Sequence, residues 1–169
     1  MKKRSMILID LINDEIDVKK AFQLLSLLLE DLNNKEIENW LNYELNGYPK
    51  DVDVPKYRII NASIRGTVKT YSMIINKCEI PIPIEDKEKL CKHVVRDSIA
   101  EICQYAKAEE ESDMHCLTSP IDIGYINSVA LINDAEVTHA NLQFNMYGYT
   151  NVLHLIKDKL IDIFKKLEK

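Results

Sequence analysis

Apolar residues recur with the spacing of an α-helix near both ends of the chain. One pattern follows Asp17, whose side chain can cap a helix, and its apolar positions are Val18, Ala21, Phe22, Leu25, Leu28, Leu29 and Leu32. Another follows Thr150, a second capping residue, and its apolar positions are Val152, Leu153, Ile156, Leu160, Ile163, Phe164 and Leu167. Both patterns predict amphipathic helices that pack against a core. The broad leucine face between Leu24 and Leu32 also leaves room for a helix-mediated dimer.

Two further helices are predicted beside the first of these patterns. Residues 5–14 form one of them, with helical spacing of Leu8, Leu11 and Ile12. Asn34 and Gly47 delimit the other, because Asn caps helix starts and Gly accepts the left-handed conformation that closes many helices. The apolar side of this helix carries Ile37, Trp40, Leu41 and Leu45. Together with the helix after Asp17 it forms a predicted N-terminal helical hairpin.

The composition then changes toward β-branched and aromatic residues, which favour strands. Residues 57–60 and 63–75 are predicted strands, and Gly66 marks a bulge or a tight bend. Residues 136–146 alternate between apolar and polar side chains and predict one more strand. Residues 120–132 fit neither period, so we expect a loop with a short helix there.

A long central helix is predicted over residues 84–108, with acidic residues in its first turn, where they interact favourably with the helix dipole. Residues 109–113 are predicted to form a solvated acidic loop. These elements predict a helix-rich α+β fold with an N-terminal helical hairpin, a small antiparallel sheet, and long central and C-terminal helices. The length of 169 residues predicts a single domain covering residues 1–169.

Composition and charge exclude several classes of protein. With 46% hydrophobic and 29% charged residues, the chain has the composition of a globular protein rather than a disordered one. Its 22 basic and 27 acidic residues give a net charge of −5, which opposes binding to nucleic-acid backbones and anionic membranes. Asp10 interrupts the first apolar run, so no export signal is predicted. The uncharged run from Ala21 to Leu29 is about half as long as the roughly 20 residues that a membrane-spanning helix needs, so no such helix is predicted there. We therefore expect a cytoplasmic protein that binds neither membranes nor nucleic acid.

The cysteines and histidines lack the spacing of a metal site. The cysteines lie 12 to 13 residues apart, without a C-x-x-C pair, at Cys78, Cys91, Cys103 and Cys116. This spacing leads us to expect reduced, buried thiols. The possible zinc ligands are Cys91, His93, His115 and Cys116. They do not have the spacing that is usual for zinc ligands. The absence of a G-x-S-x-G motif disfavours nucleophilic catalysis, and the isolated glycines exclude a P-loop. Because the ligand spacing of a metal site is also missing, we expect neither a metal site nor a cofactor.

Two groups of residues keep a nuclease with a bound divalent ion open as an alternative. Residues 85–87, Glu-Asp-Lys, have an acid-x-lysine arrangement, although acids at a helix start are also explained by the helix dipole. His93, Arg96 and Asp97 would share one face of the predicted central helix. The alternative function is therefore a metal-dependent nuclease toxin.

A cluster of polar residues is predicted to meet at one corner of the fold. Glu44 lies close to the apolar side of its helix and needs a partner there, and Arg58 is the obvious donor. The candidate binding residues are Glu44, Asn46, Tyr48, Tyr57 and Arg58. One interpretation is a partly buried ion pair, with Tyr48 and Tyr57 packed on Trp40. The other is a recognition or catalytic surface.

The same segment resembles the signature of the AbiTii domain. The similar residues are Trp40-Leu41-Asn42-Tyr43-Glu44-Leu45-Asn46-Gly47-Tyr48-Pro49 and then Pro55-Lys56-Tyr57-Arg58. The resemblance extends to the leucine-rich helix before this motif and to the long final helix, so it covers nearly the whole chain. It implies a role in bacterial abortive infection, in which an infected cell stops growing or dies before phage can spread. The resemblance supplies no catalytic residues.

The resemblance and the residues together lead to one main functional hypothesis. We expect a phage-defence protein, present as the domain alone and without a catalytic centre, that acts through a protein partner or through self-association. Its contact surface would be the Glu44 to Arg58 corner or a lysine face on the terminal helix, formed by Lys157, Lys159, Lys165, Lys166 and Lys169.

Overall fold

Helices dominate both ends of the chain, and strands lie mainly in its middle. The protein is described by a computed structural model that covers residues 4–29, 34–111 and 115–167. The helices are α1 (Arg4–Ile12), α2 (Val18–Leu29), α3 (Lys35–Asn46), α4 (Ile84–Leu90), α5 (Ile99–Glu111), α6 (Ile123–Val129) and α7 (Tyr147–Leu167). The strands are β1 (Ile59–Thr70), β2 (Ile74–Glu79), β3 (Lys92–Val94), β4 (Cys116–Pro120) and β5 (Ala135–Asn145), and a short 3₁₀ turn (Lys56–Arg58) precedes β1. The predicted α+β class is confirmed.

The N-terminal helices begin and end where their capping residues predict. Asp17 accepts a hydrogen bond from the backbone N–H of Lys20 at 2.6 Å, in the first turn of α2. Asn34 accepts one from the N–H of Ile37 at 3.2 Å, and Gly47 ends α3 with a φ of 87°. A residue with a Cβ is strained at that φ, so glycine is the natural choice. Leu32, at the end of the predicted leucine face, lies outside the described residues.

The strands form a small antiparallel sheet, as predicted. Its order is β2-β1-β5-β4, and β3 pairs with the beginning of β1. The predicted strand near residues 136–146 is β5, and the pairing register between β1 and β2 shifts next to Gly66, where a bulge or bend is predicted. The short helix expected within residues 120–132 is α6, whereas β4 was not predicted.

The prediction of a long central helix is wrong. Residues 84–108 instead contain α4, then β3, then the start of α5. The physical reason is a long-range contact, because Lys92–Val94 pair antiparallel with Ile59–Asn61 of β1 and leave the helical path. No sequence signal in this segment, such as Gly or Pro, marks the break.

Two details of the predicted helix ends are also wrong. Glu109 was placed in a solvated loop, but it lies in α5 and is 8% exposed, and its carboxylate accepts a hydrogen bond from Thr150. Thr150 therefore does not cap α7, which already begins at Tyr147. The C-terminal helix itself is confirmed. Ser112 and Asp113, the end of the predicted acidic loop, lie outside the described residues.

Buried apolar side chains form two clusters. The helical core joins α1, α2, α5 and α7 and has at its centre Phe22, Leu25, Ile102, Ile156 and Phe164. The sheet core lies between one face of the sheet and α6 and contains Ile64, Val68, Ile126, Val137 and Leu142. The first helix packs against the last, and Asp14 and Lys157 form an ion pair there. Within the described ranges, no helix combines the length and the apolar character needed to cross a membrane.

Candidate functional site

A buried ion pair lies at the centre of the predicted corner. Glu44 is in the last turn of α3 and Arg58 ends the 3₁₀ turn, and both side chains are 0% exposed. Nη2 of Arg58 donates to Oε2 of Glu44 at 2.6 Å, and Nε donates to Oε1 at 3.3 Å. The guanidinium therefore holds the carboxylate with two hydrogen bonds, which fixes orientation as well as distance.

Two tyrosine hydroxyls complete the environment of the Glu44 carboxylate. Tyr48 donates to Oε1 at 2.9 Å and Tyr57 donates to the same oxygen at 2.7 Å. Tyr57 in turn accepts a hydrogen bond from Nε1 of Trp40 at 2.7 Å. Burial, followed by the charge of Glu44, raises the pKa of both tyrosines. The two hydroxyls therefore keep their protons and remain donors at physiological pH.

Backbone carbonyls of the loop between β3 and α5 satisfy the rest of the guanidinium. Nη1 of Arg58 donates to the carbonyl of Asp97 at 2.7 Å and to that of Val95 at 3.2 Å. The same loop holds the end of α3, because the N–H of Tyr48 donates to the carbonyl of Arg96 at 2.8 Å. The corner thus ties together three segments that are distant in sequence. The sequence analysis missed these carbonyls because backbone acceptors have no residue-type signal.

The structure brings four of the five candidate residues together and separates the fifth. The Asn46 side chain is exposed and donates to the side chain and the carbonyl of Asn42. The Tyr48 ring stacks on Tyr43 at 5.1 Å between centroids and faces the Arg58 guanidinium at 4.6 Å. The charged groups of the corner therefore find their partners inside the protein, and a partner at the surface would meet only the rim around them.

The residues of this corner are those that carry the AbiTii-like motif. A family model described as AbiTii matches residues 5–169, which is nearly the whole chain. The chain belongs to the AbiTii family. The family name associates this AbiTii chain with abortive infection, a phage-defence response. No curated protein and no solved structure matches the chain.

The second candidate group of this AbiTii chain does not form the predicted helical face. His93 lies in β3, while Arg96 and Asp97 lie in the following loop. His93 and Asp97 nevertheless both approach the hydroxyl of Tyr149, with Nε2 of His93 at 3.3 Å and Oδ2 of Asp97 at 3.5 Å. The His93 ring stacks on Phe144 at 4.0 Å, and burial lowers its pKa against the opposing charge of Asp97. Its neutral form is therefore favoured.

The remaining candidate metal ligands are dispersed. In the part of the AbiTii chain that the structure describes, no group of three or more His, Cys, Asp or Glu residues could hold a metal ion. Glu85 and Asp86 lie in the first turn of α4, as the helix dipole favours. The cysteines are free thiols, and Cys116 is exposed while the other three are half-buried. The expectation of buried thiols is therefore wrong for Cys116.

The lysine face of α7 is only partly available. Lys157 pairs with Asp14, whereas Lys159, Lys165 and Lys166 are exposed. Lys169 lies outside the described residues. Lys159 lies among the exposed carboxylates Asp158 and Asp162, so the basic surface in the last turn of α7 consists of Lys165 and Lys166.

A further apolar surface lies on the first two helices, and its Leu27 belongs to the leucine face for which a helix-mediated dimer is predicted. Its side chains are between 48% and 59% exposed, and they are Met6, Ile9, Ile12 and Leu27. The three α1 residues are three positions apart, so they share one side of that helix. Leu27 borders a groove of about 260 Å³ between α1 and α2. We call these four residues the α1–α2 surface.

Proposed function

We propose that this AbiTii chain is a cytoplasmic phage-defence protein that acts as a single, non-catalytic interaction domain. It would use no cofactor and would bind a protein partner or a second copy of itself. The observation that carries this proposal is the α1–α2 surface, where apolar side chains remain exposed on two adjacent helices. Exposed apolar side chains on neighbouring helices are a feature of protein interaction sites.

The position of the charged groups supports the same proposal. Glu44 and Arg58 are satisfied by internal partners, which leaves their side chains to hold α3, the 3₁₀ turn and the β3–α5 loop in place. We propose that this corner supports the binding surfaces from inside, with Asn46 on its exposed rim. The exposed lysines of α7 offer a second surface for an acidic partner.

A plaque assay with matched surface variants tests the proposal. Bacteria expressing the chain should be protected at low phage dose, while cultures collapse at high dose, as abortive infection requires. We expect Leu27→Lys to abolish protection, because a charge at the α1–α2 surface opposes docking there. Leu131→Lys is the matched control, since Leu131 is equally exposed (63%) but lies after α6. The melting temperature of both variants should stay close to that of the wild type.

Three further results complete the test. Full protection by Leu27→Lys would contradict a role for this surface. Light scattering of the purified wild type and of Leu27→Lys then distinguishes the occupants, because loss of a dimer in the variant identifies a second copy. Cleavage of RNA or DNA that requires Mg²⁺ and stops with a chelator would overturn the non-catalytic proposal and favour the nuclease.

A further inference from the structure

The sheet has a second face that lies opposite the sheet core. Side chains on this face line a concave surface of about 890 Å³, formed by Arg65, Gly66, Thr67, Asn76, Lys77, Thr118, His139, Asn141 and Gln143. They come from all four strands of the main sheet path. We call this set of residues the polar sheet face. A volume of this size lies within the range of small-molecule sites.

The polar sheet face differs in charge from the rest of the chain. Its lining includes the cations Arg65 and Lys77, and none of the nine lining residues is a carboxylate. The whole chain, by contrast, has 27 acidic residues and a net charge of −5. Glu79 pairs in register with Arg65 but does not line the concavity. Local positive charge on an acidic protein favours an anionic ligand.

Irregular backbone lies next to the concavity. The register of β1 shifts against β2 between Gly66 and Val68, and against β5 between Thr67 and Val68. Lys77, on β2, has a φ of 54°, which L-residues rarely adopt. A Cβ at position 66 would lie 1.9 Å from the carbonyl oxygen of His139, so only glycine allows this close approach of the strands. Coincident bulges bend a sheet and redirect side chains, and they are common beside binding sites.

Several polar side chains on this face are held in pairs. Nη2 of Arg65 donates to the carbonyl of Lys77 at 2.7 Å, which places the two cationic residues side by side. The Asn141 amide lies 2.9 Å from Nε2 of His139. Gln143 is half-buried on β5, where it pairs in register with Thr118 of β4. Its amide makes no hydrogen bond to the described part of the protein. An amide with open donor and acceptor atoms is suited to a polar ligand.

We propose that the polar sheet face binds a small phosphate ester that also carries hydroxyl or amide groups, such as a nucleotide or a sugar phosphate. Arg65 and Lys77 would bind the phosphate, and Asn141, Gln143 and Thr118 would bind its neutral polar groups. This site is separate from the α1–α2 surface and does not depend on the proposed function. A nucleic-acid strand fits less well. Among the described lining residues there is no Phe, Tyr or Trp on which a base could stack, and only two cations are present to bind a phosphate backbone.

Calorimetric titration of the purified chain tests this inference with defined probes. The probes are AMP, glucose 6-phosphate, inorganic phosphate, adenosine, glucose and a short single-stranded RNA. We expect AMP or glucose 6-phosphate to bind with a Kd on the order of 0.1–1 mM, and to bind at least about tenfold more tightly than its phosphate-free counterpart. The tighter of the two esters identifies the source of the phosphate as a nucleotide or a sugar.

Matched variants connect the binding to this face. Arg65→Gln should weaken the bound ester about tenfold, since it removes a charged hydrogen bond to phosphate. Gln143→Glu should weaken it similarly, because it adds a carboxylate of nearly the same shape. Lys107→Gln removes one exposed positive charge on α5 and should leave the Kd unchanged.

Four results would overturn the inference. The first is that neither ester binds up to about 10 mM, and the second is that each ester binds no more tightly than its phosphate-free counterpart, adenosine or glucose. The third is that the wild type, Arg65→Gln and Gln143→Glu bind the ester with equal affinity. The fourth is that the RNA binds through the same residues more tightly than either ester.

Discussion

The Glu44–Arg58 corner and the polar sheet face use similar residue types in opposite ways. In the corner, the carboxylate and the guanidinium are fully buried, and tyrosine hydroxyls and backbone carbonyls surround them. On the sheet face, Arg65 is anchored by one hydrogen bond and the Gln143 amide is open. The difference teaches that the hydrogen-bonding groups of the corner are satisfied inside the protein, whereas free hydrogen-bonding groups lie on the sheet face.

Removing one partner of the buried pair should have the largest effect. We expect Glu44→Ala or Arg58→Ala to lower the free energy of unfolding by about 3–5 kcal/mol, because each leaves a buried charge without its partner. Urea denaturation followed by circular dichroism measures the change. The double variant Glu44→Leu/Arg58→Met should be more stable than either single variant, since it removes both charges. A loss below about 1 kcal/mol in the single variants would show that the corner tolerates an unpaired charge.

Loss of one hydroxyl in the corner should have a smaller effect. Tyr57→Phe removes the donor to Glu44 and the acceptor for Nε1 of Trp40. We expect a destabilisation of about 1–3 kcal/mol, measured by the same denaturation, because both groups then lose a hydrogen-bond partner. Tyr147→Phe is the matched control, since Tyr147 is 61% exposed and should change stability little. Equal stability of the two variants would contradict a structural role for the Tyr57 hydroxyl.

The next effect is on stability at acidic pH and comes from His93, which lies close to the corner. Burial lowers the pKa of His93 from its ordinary value of 6.5, so the unfolded state binds a proton more readily than the native state. Stability from this residue is present above that value and is lost as the pH falls below it. We expect melting temperatures to decrease between about pH 7 and pH 5, and to decrease less in His93→Gln. His154→Gln should retain the wild-type slope, because His154 is exposed. An unchanged slope in His93→Gln would rule out this histidine as the cause.

Changes on the polar sheet face should have the smallest effect on stability. We expect Arg65→Gln and Gln143→Ala to change the free energy of unfolding by less than about 0.5 kcal/mol, because neither side chain is fully buried. Thermal denaturation of both variants measures this. A loss as large as that of Glu44→Ala would mean that the two regions do not differ in kind.

The sequence predicts elements whose ends depend on local chemistry. The limits of α3 follow from Asn34 and Gly47, and the structure has both caps. The prediction of a central helix failed because β3 forms only by pairing with residues 59–61, which are far away in sequence. Local patterns carry no information about such a partner, and the short β4 was missed for the same reason: it forms by pairing with β5.

The same distinction applies to the sites. The pairing of Glu44 with Arg58 could be predicted, because a carboxylate on an apolar helix side requires a partner and the planar guanidinium of arginine can hold it with two hydrogen bonds. The carbonyls of Val95 and Asp97 could not, since every residue carries one. The polar sheet face depends on strand order and on two bulges, and neither property can be predicted from the sequence of a single segment.

The contact between the first and last helices has a consequence for synthesis of the protein. α2 begins at residue 18 and α7 at residue 147, and both contribute to the helical core. Until α7 has been translated, a growing chain therefore lacks the helix against which α1 and part of α2 pack. Such nascent chains are open to chaperones and proteases. An interruption of translation before α7 would leave the helical core without Val152, Ile156, Leu160 and Phe164.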